Sequence, residues 1–356
     1  MSLQIIWAIG ELVLILVFFL VVFFQVKRSL KTKTAVVEGP KTTGARIVHV
    51  LLRLLRVLGF GIGVFLLLAF FVGVERSIHS VIIETAPTPS EVSIPPDLGF
   101  DVEEVTFTSK DGITLAGWFT PSQNGGTVIL LHGYGGNRAG MIWHARQLTA
   151  AGFGVLMYDE RASGESGGAY RSYGWEDTRD VIAAVQFIQT RNPNEHIGAA
   201  GCSTGADIAV YGAALHPEIE AAWGDGNSPV RAQDAPMFKS PILTLIVVNN
   251  FFLDWLYTVR LGIEAPAPMT DVLPDIAPRP VMFVGGGTER PLLGSEADLF
   301  TLRYAALAGP NAQAWVIPEA THCDGPRHRP EEYAERMTAF FAEAFMDVNN
   351  PEKALK

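Results

Sequence analysis

The sequence predicts an α/β domain, a mostly parallel sheet covered by helices on both faces, placed after two membrane-spanning helices. Three observations carry that expectation. Residues 101–346 alternate short apolar runs with longer amphipathic segments. Two apolar stretches, 5–26 and 57–74, precede them. Between a strand pattern and a helix pattern stands the pentapeptide Gly201-Cys202-Ser203-Thr204-Gly205.

The membrane segments come first. Residues 5–26 are broken only by Glu11 and Gln25, and 57–74 contain no polar side chain. At 1.5 Å per residue each can cross a hydrocarbon core of about 30 Å. A signal peptide fits the first poorly, because the opening Met-Ser-Leu-Gln has no basic residue. The loop 27–56 holds eight basic residues (Lys27, Arg28, Lys31, Lys33, Lys41, Arg46, Arg53, Arg56) against Glu38 alone. That excess assigns the loop to the cytoplasm, and both termini and the large domain to the other side. Arg46, His49, Arg53 and Arg56 recur at helical spacing and suggest an interfacial helix leading into the second span. Gly59-x-x-x-Gly63 and Ala69-x-x-x-Gly73 would permit helix–helix self-association. Residues 1–76 are thus read as a bilayer anchor. Residues 77–100, with Pro87, Pro89, Pro95 and Pro96, are read as a tether.

Within 101–346, strands are expected near 101–108 and 113–119, as an antiparallel hairpin, then at 127–131, 154–158, 196–201, 219–223, 280–285 and 312–317. Helices are expected at 138–150, 175–190, from 203, at 295–308 and at 330–346, and 347–356 form a tail. The excursion 226–271 is read as a short helical lid. Its apolar run 240–262 would put Asn249, Asn250 and Asp254 into lipid were it a third span.

Composition excludes several function classes. Residues 75–356 hold 19 Lys/Arg against 35 Asp/Glu, a net −16 that would repel a phosphate backbone, so no nucleic-acid partner is expected. Two cysteines are too few for a disulfide scaffold, a zinc ribbon or an iron–sulfur protein. No cluster has metal-ligand spacing and no glycine fingerprint marks a dinucleotide, so neither metal nor cofactor is expected.

The chemistry points to a nucleophilic serine. Ser203 lies on a strand–turn–helix, where glycines allow a turn sharp enough to lift the hydroxyl above the sheet. A second match, Gly164-Glu165-Ser166-Gly167-Gly168, has no strand entering it and reads as a backbone-shaping loop. For the base, His322 follows the last strand in Pro318-Glu319-Ala320-Thr321-His322-Cys323-Asp324, where a loop can return over the turn, whereas His328 lies in a charged helix start. For the carboxylate that orients the imidazole, Glu289 is favoured, after the strand and glycine loop of 281–288. Asp225, Glu296 and Asp298 remain alternatives.

The segments VILLHGYGGNR, VLMYDERASGESGG, GCSTGA, APRPVMFVGGGTE and PEATHCDGP, in that order, resemble the α/β-hydrolase superfamily. They are most similar to its serine-aminopeptidase-like and dienelactone-hydrolase-like esterase branch, over about residues 100–345. The resemblance implies an eight-stranded sheet and an oxyanion hole from the backbone N–H groups of Tyr134 and Thr204. It also implies the chain order serine–acid–histidine, met here by Ser203, Glu289 and His322. Two positions depart from the pattern: Glu stands where Asp is commoner, and Ala162 replaces the first glycine of Asp-x-Arg-Gly-x-Gly. Ala162 is expected to keep a negative φ.

The expected activity is acyl transfer to water through an acyl-enzyme, with an apolar carboxylic ester as small-molecule substrate. A membrane-tethered serine peptidase or amidase is the alternative, and a non-catalytic binding protein of the same fold is the other. Cys202 is expected to point into the core and Cys323 to leave on a loop, which predicts two free thiols.

Overall fold

In the computed structural model the residues described are 24, 27, 43–235, 241–287 and 299–348. The first expected span, apart from Phe24, lies outside them. The chain divides into two compact units, Met1–Ser80 and Val81–Lys356.

Helix α1 (Thr43–Glu84) is continuous through the basic stripe and the second apolar stretch. Its 42 residues span about 63 Å at 1.5 Å each, twice what one bilayer crossing requires. From Ile47 it is long and apolar enough to cross a membrane by length and composition, and its apolar side chains, such as Leu55, Leu66 and Phe70, are exposed. A helix apolar all round has no single core-facing stripe.

The second unit follows in order. β1 (Thr88–Pro89), β2 (Glu103–Thr108), β3 (Thr114–Thr120) and β4 (Gly126–Leu131) lead to α2 (Ile142–Ala150). β5 (Gly154–Tyr158), β6 (Ser163–Gly164), α3 (Thr178–Arg191), β7 (His196–Cys202) and α4 (Thr204–Leu215) come next. β8 (Ala221–Asp225), α5 (Pro241–Leu261), β9 (Val281–Gly286), α6 (Leu299–Ala308), β10 (Ala312–Ile317) and α7 (Pro330–Val348) complete it. Eight strands form one sheet in the order β10-β9-β8-β7-β4-β5-β3-β2. The β2–β3 hairpin is antiparallel and β3 pairs antiparallel with β5, while the rest are parallel.

The two-residue side-chain period explains the two cores. Along β4, Ile129 and Leu131 join the cluster that includes Val181 of α3, Ile208 of α4 and Tyr304 of α6. Val128 and Leu130 join the opposite cluster, with Leu148 of α2 and Phe341 of α7. Burial on both faces is why the central strands read as unbroken apolar runs.

Three findings differ from the sequence expectations. First, residues 88–98, read above as part of a tether, lie along the domain. Thr88 and Pro89 pair in parallel with Ser163 and Gly164, and Val92 and Leu98 are buried. Second, Ala162 has φ +57, not the negative value expected. Its loop is fixed by its neighbours. Buried Asp159 accepts from the Arg138 and Glu165 backbone N–H groups (2.7 and 2.8 Å) and pairs with the Arg138 guanidinium, while buried Arg161 bonds Asp180 at 2.7 Å. The flanking ion pairs leave residue 162 in the left-handed region, which is where a glycine would be at ease. Third, Cys202 and Cys323 are joined by a disulfide, Cα atoms 5.9 Å apart, so the expectation of free thiols is wrong.

The lid stretch contains α5. Its C-terminal half packs down through Tyr257 and Leu261, both buried, while Phe251 and Trp255 are exposed.

Candidate active site

Ser203 follows the last residue of β7 and stands just before the first residue of α4, with φ +56 and ψ −121. The glycines on either side are required by close approach. A Cβ at Gly201 would overlap the Gly205 backbone, and one at Gly205 would overlap the carbonyls of Leu131 and His132. Strand, turn and helix are thus compressed against β4, with Ser203 on the turn between them. The Ser203 N–H is anchored to the Asp225 carbonyl (2.8 Å), across the β7–β8 pair.

His322 arrives from the loop after β10, and its Nε2 lies 2.8 Å from Ser203 Oγ. That is hydrogen-bond reach for a proton transfer. Cys323, the next residue, has φ +57, which turns its side chain inward to the Cys202 sulfur. Because Ser203 and His322 meet, their neighbours fall within the Cα separation a disulfide needs.

The loop after β4 runs beside the serine. A Cβ built on Gly133 would lie 3.4 Å from Ser203 Cβ, which brings the Gly133–Tyr134 peptide alongside the nucleophile. His132 shapes this loop. Its Nε2 accepts from the Glu160 N–H at 3.1 Å, so the ring proton sits on Nδ1, 2.9 Å from the Gly133 carbonyl. Burial lowers its pKa and keeps the imidazole neutral. Thr204 opens α4, where N–H groups have no partner within the helix. The Gly133–Tyr134 peptide and the first turn of α4 thus both adjoin Ser203.

Asp225 ends β8, buried, and its carboxyl accepts from the Tyr333 hydroxyl at 2.9 Å, which in turn accepts from Trp223 Nε1 at 2.8 Å. Burial pushes its pKa up to about 6, opposed by the Tyr333 bond. Its carboxyl is thus engaged on the α7 side of the sheet. Glu289, Glu296 and Asp298 lie outside the described residues. Ser166 is held in backbone duty, donating to the Asp159 carbonyl (2.6 Å) and accepting from the Ala116 N–H (2.9 Å). Among the described residues, no three His, Cys, Asp or Glu converge as metal ligands would.

Sequence reasoning missed an aromatic wall that begins at Tyr134, the residue after Gly133. The Arg171 guanidinium lies 4.1 Å over the Tyr134 ring and donates to the Tyr134 hydroxyl at 2.9 Å. The same guanidinium donates to the carbonyls of Ala86 (2.7 Å) and Ile83 (3.2 Å), tying Tyr134 to the C-terminal end of α1 and the residues just after it. The Tyr173 ring is tilted against that of Tyr134 (centroids 5.1 Å apart), and the Tyr257 ring of α5 lies 6.2 Å from that of Tyr173, its hydroxyl donating to the Glu84 carboxylate. Burial, with Glu84 nearby, raises the Tyr173 pKa to about 12 and the Tyr257 pKa further. Four separate stretches of chain build this wall, and none carries a local motif that would reveal it.

The sheet order, the strand–turn–helix serine and the histidine loop after the last strand define a domain of the α/β-hydrolase fold. Comparison with known proteins sharpens this. Residues 122–251 match the family described as serine aminopeptidase, S33. The uncharacterized protein YfhR of Escherichia coli K12 is 26% identical over 259 residues, 70% of this chain and 84% of that one. The uncharacterized protein Rv2307c of Mycobacterium tuberculosis is 28% identical over 243 residues, 67% and 77% of the two chains. Among solved structures, the Pyrococcus furiosus esterase Pf2001 is similar at TM-score 0.57 and 26% identity, covering 73% of this chain and 97% of its own. A dienelactone hydrolase from Anabaena variabilis shares the fold at TM-score 0.50 and 16% identity, over 68% and 97%. Together these support a hydrolase.

Proposed function

We propose that this protein is a membrane-anchored serine hydrolase that cleaves carboxylic esters with an apolar acyl or alcohol group. The observation that carries the proposal is His322 Nε2 at 2.8 Å from Ser203 Oγ, at the apex of a strand–helix turn.

In this account His322 takes the Ser203 proton as Oγ attacks the ester carbonyl. The Tyr134 and Thr204 N–H groups receive the oxyanion. His322 then passes the proton to the departing alcohol, leaving Ser203 acylated. A water enters, His322 takes its proton, and hydroxide attack releases the acid and restores the serine. Glu289 is assigned to orient His322, from its place after β9. Asp225 ranks behind it because its carboxyl is engaged by Tyr333. Glu289→Gln should lower kcat by about 10³-fold or more, with Asp225→Asn costing far less. The reverse result would exchange the two assignments.

The apolar preference rests on the aromatic wall of Tyr134, Tyr173 and Tyr257, and on the likeness to a protein described as an esterase. The match to a serine aminopeptidase family favours a second reading, amide or peptide hydrolysis. Turnover of p-nitrophenyl esters of increasing chain length against amino-acid arylamides separates them. Esters should lead, with longer acyl groups preferred; faster arylamide cleavage would shift the assignment to a peptidase.

The anchor reading rests on α1 and on the apolar stretch 5–26, with the basic loop 27–56 assigned to the cytoplasm and the domain to the opposite side.

A further inference from the structure

We infer that the Cys202–Cys323 disulfide is the positioning element of the catalytic pair, holding the base against the nucleophile. The inference rests on the reading of Ser203 as nucleophile and His322 as base.

The bridge joins the residue before the serine to the residue after the histidine, across a sequence separation of 121. Its two halves belong to different kinds of segment, a strand end and a loop. Cys202 is the last residue of β7, paired with Asp225 of β8 and packed on the core. His322 sits on a loop whose Pro318, Glu319 and Thr321 are exposed and which makes the short-range turns Ala320 N–H to Ile317 O and Asp324 N–H to Thr321 O. The covalent link therefore transfers the position of a half-buried, sheet-paired strand end to an exposed loop. Both Ser203 and Cys323 hold a positive φ without being glycine, a conformation that persists only where the surroundings over-determine it. Gly226 completes the clamp from below. A Cβ there would stand 2.7 Å from His322 Cε1 and 3.0 Å from the Cys323 sulfur.

A reacting pair displaced by about 1 Å loses about 10²-fold in rate, because the orientation entropy is no longer prepaid. Loss of the bridge should act on kcat in that range and spare KM, since the aromatic wall that receives substrate is made by other segments.

The test uses the full chain in detergent or nanodiscs. Alkylation without reduction, followed by mass spectrometry, should recover a peptide pair joining residues 202 and 323; two alkylated cysteines would overturn the proposal. Dithiothreitol then reduces the bridge to two thiols and is itself oxidised to its cyclic disulfide. Reduction of the wild type, and the variant C202A/C323A, should each lower kcat for p-nitrophenyl butyrate about 10- to 100-fold with KM within about twofold. The rate at which a fluorophosphonate phosphonylates Ser203, with loss of fluoride, should fall by the same factor. Reoxidation should restore the wild type, and dithiothreitol should leave the variant unchanged. If the variant fails to fold, the reduced wild type decides. A bridge that merely braced the fold would lower the melting temperature and leave kcat intact well below it, which would overturn the proposal. Ser203 labelled at a rate independent of the bridge overturns this proposal alone. Ser203 unlabelled in the oxidised wild type overturns the serine-hydrolase reading and this proposal with it.

Discussion

Gly226 lies directly beneath the imidazole of His322: a Cβ built on it would stand 2.7 Å from Cε1 and 2.8 Å from Nδ1. With φ +75 the position would also strain any residue that carries a Cβ. Gly226→Ala should therefore displace the imidazole from Ser203 and lower kcat about 10²-fold, while far-UV circular dichroism stays native. A variant with wild-type kcat would show that the imidazole is free to shift without loss.

Ala162 holds φ +57 in a buried loop, a conformation that costs a residue with a Cβ about 1–2 kcal/mol. Ala162→Gly removes that cost and adds about 0.5–1 kcal/mol of unfolded-state entropy. The variant should be more stable by about 0.5–1 kcal/mol, read as a higher melting temperature with activity unchanged. A lower melting temperature would mean that the methyl packing outweighs the backbone cost.

Asp207, in the first turn of α4, accepts from Asn227, the Ser228 N–H and the Ser228 hydroxyl (3.1, 2.9 and 2.7 Å). Burial still raises its pKa to about 7, against about 3.9 in an unfolded chain. Between those values the folded state binds a proton that the unfolded chain releases. Stability from this group is therefore present below about pH 4, the unfolded value, and is lost as pH rises through about 7. Asp180 and Asp225 are raised in the same direction, so the quantity to measure is wild type minus variant. Asp207→Asn should flatten the pH dependence of stability by at most about 1.4 kcal/mol per pH unit over that window. An identical slope in both proteins would contradict the assignment.

Cysteine accessibility on intact cells tests the topology. Single cysteines introduced on the domain surface should react with a membrane-impermeant maleimide, and those in loop 27–56 should not. The opposite pattern would place the domain in the cytoplasm.

The sequence made the strands, the turn at 201–205 and the histidine loop legible, because each is local: a run of alternating or continuous apolar residues, or a motif within about eight positions. What it concealed depends on long-range geometry. The Cys202–Cys323 bridge follows from the positive φ at Cys323, which no residue type at that position announces. The left-handed Ala162 is imposed by Asp159 and Arg161, whose partners Arg138 and Asp180 come from other elements. Prolines at 87–96 resemble a linker whether or not they are docked; what docks them is pairing with Ser163 and Gly164, about 75 residues downstream. Arg171 likewise gave no signal, since its role is to join Tyr134 to residues 83–86.

The central claim is that Ser203 is a nucleophile activated by His322. Its most direct measurement is active-site labelling of the purified full chain with a fluorophosphonate, paired with ester turnover, in the wild type, Ser203→Ala and His322→Ala. The account predicts a single adduct on Ser203 in the wild type and none in Ser203→Ala, whose turnover falls about 10³-fold or more while its fold is retained. His322→Ala should label far more slowly. Turnover of Ser203→Ala within tenfold of the wild type, or an adduct that persists in it, would contradict the account and move attention to Ser166.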